Sequence, residues 1–160
     1  PIGPSNTSLR VTPPEDIARV AGVTWRCALD VASPRRAAAA MAGCRGRVLL
    51  IAEGATIAAT GRGMDAWAEV VAARASRVLL YGPDADALAE RLATRRDPTM
   101  VVRCSDLLDA TQAASYLSAR GGTVLLAVPA RSSQGVDDTV ARYRAAVGAL
   151  AMAEQPMEVA

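Results

Sequence analysis

Three short runs constrain this chain more than anything else in it: Arg47-Val-Leu-Leu-Ile-Ala-Glu-Gly54, Arg77-Val-Leu-Leu-Tyr-Gly-Pro-Asp84 and Thr123-Val-Leu-Leu-Ala-Val-Pro-Ala130. Each is an unbroken apolar stretch, rich in Val and Leu, that stops at Gly or Pro, which is how a strand buried on both faces reads. Each is followed by a loop and then by apolar residues at helical spacing. A parallel strand pair needs a crossover long enough to hold a helix, so this alternation dictates a mostly parallel sheet with helices on both faces.

The segments between these runs fill in the order. Ile17-Ala-Arg-Val20 and Val23-Thr-Trp-Arg-Cys-Ala-Leu29 are β-prone and split by Ala21-Gly22, which predicts a hairpin. Trp25 on that hairpin is expected to be buried. Ser33-Pro34 supplies an N-cap and a first-turn proline for an Ala-rich helix running to Cys44. A loop holding Gly54, Gly61 and Gly63 leads to a helix from Met64 to Ala75, with Trp67, Val70 and Val71 facing inward. Asp84 is placed to cap a helix reaching about Arg96, with Ala85, Leu88 and Leu92 on its apolar face. Met100 to Arg103 reads as a short strand, and Ser105 as the cap of a helix over 106–119 with Leu107, Leu108, Ala114 and Leu117 inward. Arg120-Gly121-Gly122 stops that helix, and a last one starts near Val136 with Val140, Tyr143, Val147 and Leu150 on one face. The expected architecture is α/β: a Rossmann-like three-layer sandwich, mostly parallel sheet, helices on both faces, with an N-terminal β-hairpin. Residues 1–12 have the composition of a linker, 13–153 form one domain, and 154–160 form a flexible tail.

At 160 residues and 51% hydrophobic, the chain can bury one core and is too short for two. All eighteen basic residues are Arg. With neither Lys nor His, a His general base, a Lys Schiff base, a P-loop lysine and His-ligated metal are excluded. Arg binds anions but transfers protons poorly. Cys27, Cys44 and Cys104 are odd in number and far apart, as free thiols of a reducing compartment are. No run approaches the ~20 apolar residues of a membrane span, and no signal peptide opens the chain, so a cytoplasmic protein without direct membrane insertion is expected. Scattered arginines and 3% aromatic content give no nucleic-acid signature. The first residue is Pro1, which suits a segment of a longer protein.

The order of these elements, with several specific words, resembles the C-terminal domain of the Mur ligases, ATP-dependent amide-forming enzymes of peptidoglycan precursor synthesis, and most of all its D-glutamate-adding branch. Gly22-Val-Thr-Trp25 is similar to the family's hairpin strand, Val48-Leu-Leu-Ile-Ala-Glu-Gly54 to the strand and glycine turn that follow, and Leu80-Tyr-Gly82 to the next unit. Asp106-Leu-Leu-Asp-Ala110 resembles a helix opening, Thr123-Val-Leu-Leu126 the last core strand, and Tyr143-Arg-Ala-Ala-Val-Gly-Ala-Leu150 the terminal helix.

The departures gather in the chemistry. Where the family has Asn-Asp-Ser-Lys-Ala-Thr-Asn-Pro, this chain has Cys27-Ala-Leu-Asp-Val-Ala-Ser-Pro34, and the family's His-Arg-x-Glu corresponds to Thr12-Pro-Pro-Glu15. The family's Ser-Pro-Ala-x-Ser becomes Ala127-Val-Pro-Ala-Arg-Ser132, and its Arg-Gly pair in the final helix is missing. A lost charge-assisted contact costs about 1.5–3 kcal/mol, so several together remove binding by orders of magnitude.

The resemblance therefore implies a degenerate domain, not catalytic by itself, that serves as a protein-interaction or structural module. Its partner would be another protein or upstream domains of a parent chain. No cofactor is expected for the isolated chain, although the family uses ATP and magnesium. The alternative is a C-terminal substrate-binding domain of an ATP-dependent amide ligase whose catalytic centre needs an upstream ATP-binding domain. Candidate substrate contacts are Ser33, Asp30, Arg131 and Ser132. A third reading places an anion on Gly61, Arg62 and Gly63, where a Gly-rich loop opens a helix. No catalytic residue and no metal ligand is assigned.

Overall fold

A computed structural model describes residues 15–29, 33–58, 63–95, 100–128 and 133–153. The proposed linker, the tail, and Asp30, Gly61, Arg62, Arg131 and Ser132 lie outside the described residues. The elements are β1 (Glu15–Val20), β2 (Val23–Leu29), α1 (Pro34–Ala42), β3 (Val48–Glu53), α2 (Gly54–Ala58), α3 (Gly63–Arg74), β4 (Arg77–Tyr81), α4 (Ala85–Ala93), β5 (Val101–Arg103), α5 (Leu107–Leu117), β6 (Thr123–Val128) and α6 (Ser133–Ala153).

The six strands form one sheet in the order β1-β2-β6-β3-β4-β5. Every neighbouring pair is parallel except β1 with β2, the expected hairpin. The three Val-Leu-Leu runs lie side by side as β6, β3 and β4, and their alternate residues feed two cores. Leu50, Ala52, Val78, Leu80, Leu125 and Ala127 face α1, α2, α3 and α4. Leu49, Ile51, Leu79, Tyr81, Val124 and Leu126 face α5, α6 and the hairpin. Both faces of these strands are dry, as continuous apolar runs require, and each fully buried Leu or Ile contributes about 1.5–3 kcal/mol of transfer free energy. Trp25 and Tyr143 close the second layer, 1% and 0% exposed with ring centroids 6.2 Å apart.

Five local expectations are corrected. The glycine loop after β3 is helical at its start: α2 forms because Ile57 drops fully into the apolar layer. Asp84 does not cap α4 with its side chain; its backbone is left-handed, at φ 64°, and its carboxylate makes no cap bond. Asp106, not Ser105, caps α5: its Oδ1 accepts from Asp109 N–H at 2.8 Å, satisfying one orphan donor of the first turn, while Asp109 Oδ2 accepts from Ser105 N–H at 2.8 Å just before the cap. That register turns Leu108 outward, 55% exposed, and puts Ala110 in the core beside the expected Ala114. Finally, α6 begins at Ser133 rather than Val136.

Candidate functional site

In open α/β sheets, ligands bind beyond the carboxyl ends of the strands, where neighbouring connections leave for opposite faces. Here that point lies between β3, which leads into helices of the first layer, and β6, which leads into α6 of the second. The carboxyl end of β2 lies beside β6 and runs toward α1.

Two of the sequence candidates can be placed at this edge. Ser33 is the N-cap of α1: its backbone is extended, at ψ 134°, its Oγ accepts from Arg36 N–H at 3.4 Å, and its carbonyl accepts from Ala37 N–H at 2.9 Å. The hydroxyl thus has a structural task and retains its own proton for donation. Gly63 is the first residue of α3. Along the chain, Leu29 and Ser33 bracket Asp30, Ala58 and Gly63 bracket Gly61 and Arg62, and Val128 and Ser133 bracket Arg131 and Ser132.

The structure adds residues the sequence reading did not single out. Glu53 ends β3 in register with Tyr81 of β4. A carboxylate closing an otherwise apolar run was the available signal. Burial, with the Glu53 charge adding to it, pushes the Tyr81 hydroxyl up to about 12, so it stays protonated and can donate but not act as a base near neutrality. Next to Glu53, Gly54 packs against the β4–α4 turn so closely that a Cβ there would lie 2.4 Å from both Pro83 O and Ala85 N. That contact fixes the turn beside Glu53.

Further along the edge, Cys104 is buried and its thiol is pushed up to about 11 by desolvation, the Asp109 charge adding to it. A thiol held protonated is a poor nucleophile. Arg103 is paired with Asp86. Among the described residues, no group of three or more carboxylate or thiol side chains is placed to hold a metal ion. At the end of β3 the edge offers the Glu53 carboxylate and the protonated Tyr81 hydroxyl as hydrogen-bonding groups. A concavity of about 510 Å³ lies elsewhere, against α3 and the end of α4, beside Glu69 and Arg95.

The chain is thus an open α/β domain with a hairpin-extended sheet. That is the fold of Mur-ligase C-terminal domains. It is similar to a domain assigned to a UDP-N-acetylmuramate:L-alanyl-gamma-D-glutamyl-meso-diaminopimelate ligase of Haemophilus ducreyi 35000HP, at 15% identity and TM-score 0.53, over 89% of this chain and 100% of that one. It is also similar to UDP-N-acetylmuramoyl-L-alanyl-D-glutamate–2,6-diaminopimelate ligase (11% identity, TM-score 0.59, 86% of this chain, 31% of that one). A third likeness is to Mycobacterium tuberculosis folylpolyglutamate synthase complexed with ADP (19% identity, TM-score 0.54, 82% of this chain, 32% of that one). The chain spans about a third of the length of these last two ligases. No family model matches the sequence, and no curated protein does. At these identities the likeness is one of fold, and it does not single out the D-glutamate-adding branch.

Proposed function

We propose that this chain is a degenerate Mur-ligase C-terminal-like domain, non-catalytic by itself, that serves as a protein-interaction or structural module linked to peptidoglycan precursor synthesis. One contrast carries the reading. The scaffold is complete, covering the whole of the H. ducreyi domain, while the words that would carry charge to the carboxyl edge are rewritten in a chain with no lysine. Ser33 survives from the family's loop, and it caps α1. The partner would be a protein or further domains of a parent chain, in the cytoplasm where such precursors are made. Among the described residues no helix is long and apolar enough to cross a membrane.

A second reading is favoured by one observation: in two ligases this fold makes up about a third of the chain. On that reading the domain is the C-terminal substrate-binding part of an ATP-dependent amide ligase, with Ser33, Asp30, Arg131 and Ser132 holding substrate and ATP handled by another domain. Calorimetric titration with ATP and with a UDP-muramoyl peptide separates the two. The structural role predicts no saturable heat at micromolar ligand. Micromolar binding of either, lost on Ser132→Ala or Arg131→Ala, would replace it with the second reading.

A further inference from the structure

The opposite edge of the sheet, where β2, β3 and β6 begin, holds a cleft of about 330 Å³ lined by polar groups. It is bounded by the hairpin turn, the α1–β3 turn and the α5–β6 turn, and Arg19, Arg26 and Arg45 line it with Asp16 as their carboxylate. Asp16 Oδ1 lies 2.6 Å from Arg26 Nε, and Arg26 Nη1 donates to Gly43 O at 3.0 Å, so this guanidinium is fixed, its side chain only 18% exposed. Among the described residues the side chains of Arg19 and Arg45 have no acidic or hydrogen-bonding partner. Three cations thus face one carboxylate.

The backbone beneath Arg45 is locked. Thr123 Oγ1 donates to Arg45 O at 2.9 Å, and Thr123 N–H donates to Arg47 O at 2.9 Å. Gly46 between them has φ 65°, and a Cβ on it would lie 2.5 Å from Gly121 O, so only glycine permits the two turns to meet. Arg45 is therefore carried over the cleft by a rigid support rather than a loose loop. Thr24, the first register partner of Thr123, adds a half-buried hydroxyl to the lining.

We propose that this amino-edge cleft binds a small phosphorylated ligand. Guanidinium forks match the tetrahedral oxygens of a phosphate, and among the described residues two of the three cations hold no counter-ion that a ligand must displace. Among the described residues no aromatic side chain lines the cleft. The site lies at the far end of the sheet from Ser33 and Glu53 and stands independently of the reading proposed for that edge.

The test is titration of the whole chain with pyrophosphate at low salt, followed by calorimetry and by arginine Nε–H resonances. Citrate serves as a non-phosphate polyanion. Saturable pyrophosphate binding is expected, weakened about tenfold or more by Arg19→Ala and by Arg45→Ala. It should be unchanged by Arg142→Ala, whose side chain pairs with Asp138 on α6. Absence of saturation, or equal weakening by Arg142→Ala, overturns the site. Citrate binding as tightly as pyrophosphate overturns the assignment to phosphate. Arg19 and Arg45 are exposed, so their truncation leaves the fold intact, and far-UV circular dichroism of each variant checks this.

Discussion

A single methyl group has opposite consequences at two glycines. At Gly54 it would be driven into the backbone of Pro83 and Ala85, which cannot yield as a flexible side chain can. Gly54→Ala is expected to lose about 1–3 kcal/mol, the cost of overpacking. At Gly148, within α6, nothing lies within 4 Å of the added carbon. Gly148→Ala should gain about 0.5–1 kcal/mol from helix propensity. Urea midpoints of the two variants, moving in opposite directions, check both. The tyrosines make a pH-dependent statement at the same scale. An unfolded tyrosine ionises near pH 10, whereas Tyr81 in the fold holds its proton to about 12 and Tyr143, buried against Val124 and Cys27, is also raised. Their contribution is therefore complete below pH 10 and is lost as pH rises through the folded value, because only the unfolded chain releases the proton in that window. Stability should fall between pH 10 and 12 with a slope near 1.4 kcal/mol per pH unit for each such group. Tyr81→Phe should flatten the slope; denaturation midpoints stepped through this range would contradict the assignment if the variant and parent fell in parallel.

Among the elements, α4 and α5 start in ways that look alike in sequence and differ in structure. Both are preceded by an aspartate at the cap position, yet Asp106 accepts a backbone N–H, while Asp84 sits in the left-handed region with no cap bond. Asp106→Ala should cost about 1 kcal/mol. Asp84→Gly should cost nothing or stabilise slightly, since glycine carries no Cβ penalty at that φ. Thermal midpoints of the two variants report the difference. This pair shows where legibility ends. The strands were readable because three Val-Leu-Leu runs admit only a two-sided burial. The helices after them were readable because Leu88 and Leu92, or Tyr143 and Val147, recur at helical spacing and are buried. Cap identity depends on the backbone angle of one residue, which Gly82-Pro83-Asp84 and Cys104-Ser105-Asp106 do not reveal on their face. The same holds for α2, whose five residues become a helix only because Ile57 has an apolar layer to enter. Of the carboxyl-edge candidates, Ser33 was legible as a cap, and Glu53 was hidden in a strand word. The amino-edge cleft was not legible at all: Arg19, Arg26 and Arg45 are separated in sequence and meet only through the order β1-β2-β6-β3.

At the scale of the whole molecule, the sheet joins two apolar layers that share every central strand. Leu49 and Ile51 point into one layer and Leu50 and Ala52 into the other, so melting either exposes residues of β3 on both sides. One layer holds Trp67 and the other Trp25, each almost fully buried, and these are the chain's two tryptophans. They are therefore separate reporters of the two faces. If the layers form one cooperative unit, Trp25→Phe leaves Trp67 to report the first layer and Trp67→Phe leaves Trp25 to report the second. Both substitutions lose packing, so the two midpoints shift from the parent by different amounts. Within each variant, however, fluorescence and far-UV circular dichroism should give coincident urea transitions. A fluorescence transition that precedes the circular dichroism transition in the Trp67→Phe variant would mean that α6 and the hairpin detach while the parallel sheet persists. The contacts argue against such a split. Trp25 stacks obliquely on Tyr143 of α6, and β2, which carries Trp25, pairs from Thr24 to Leu29 with β6 in the middle of the sheet. The hairpin cannot leave without opening the strand that also pairs with β3.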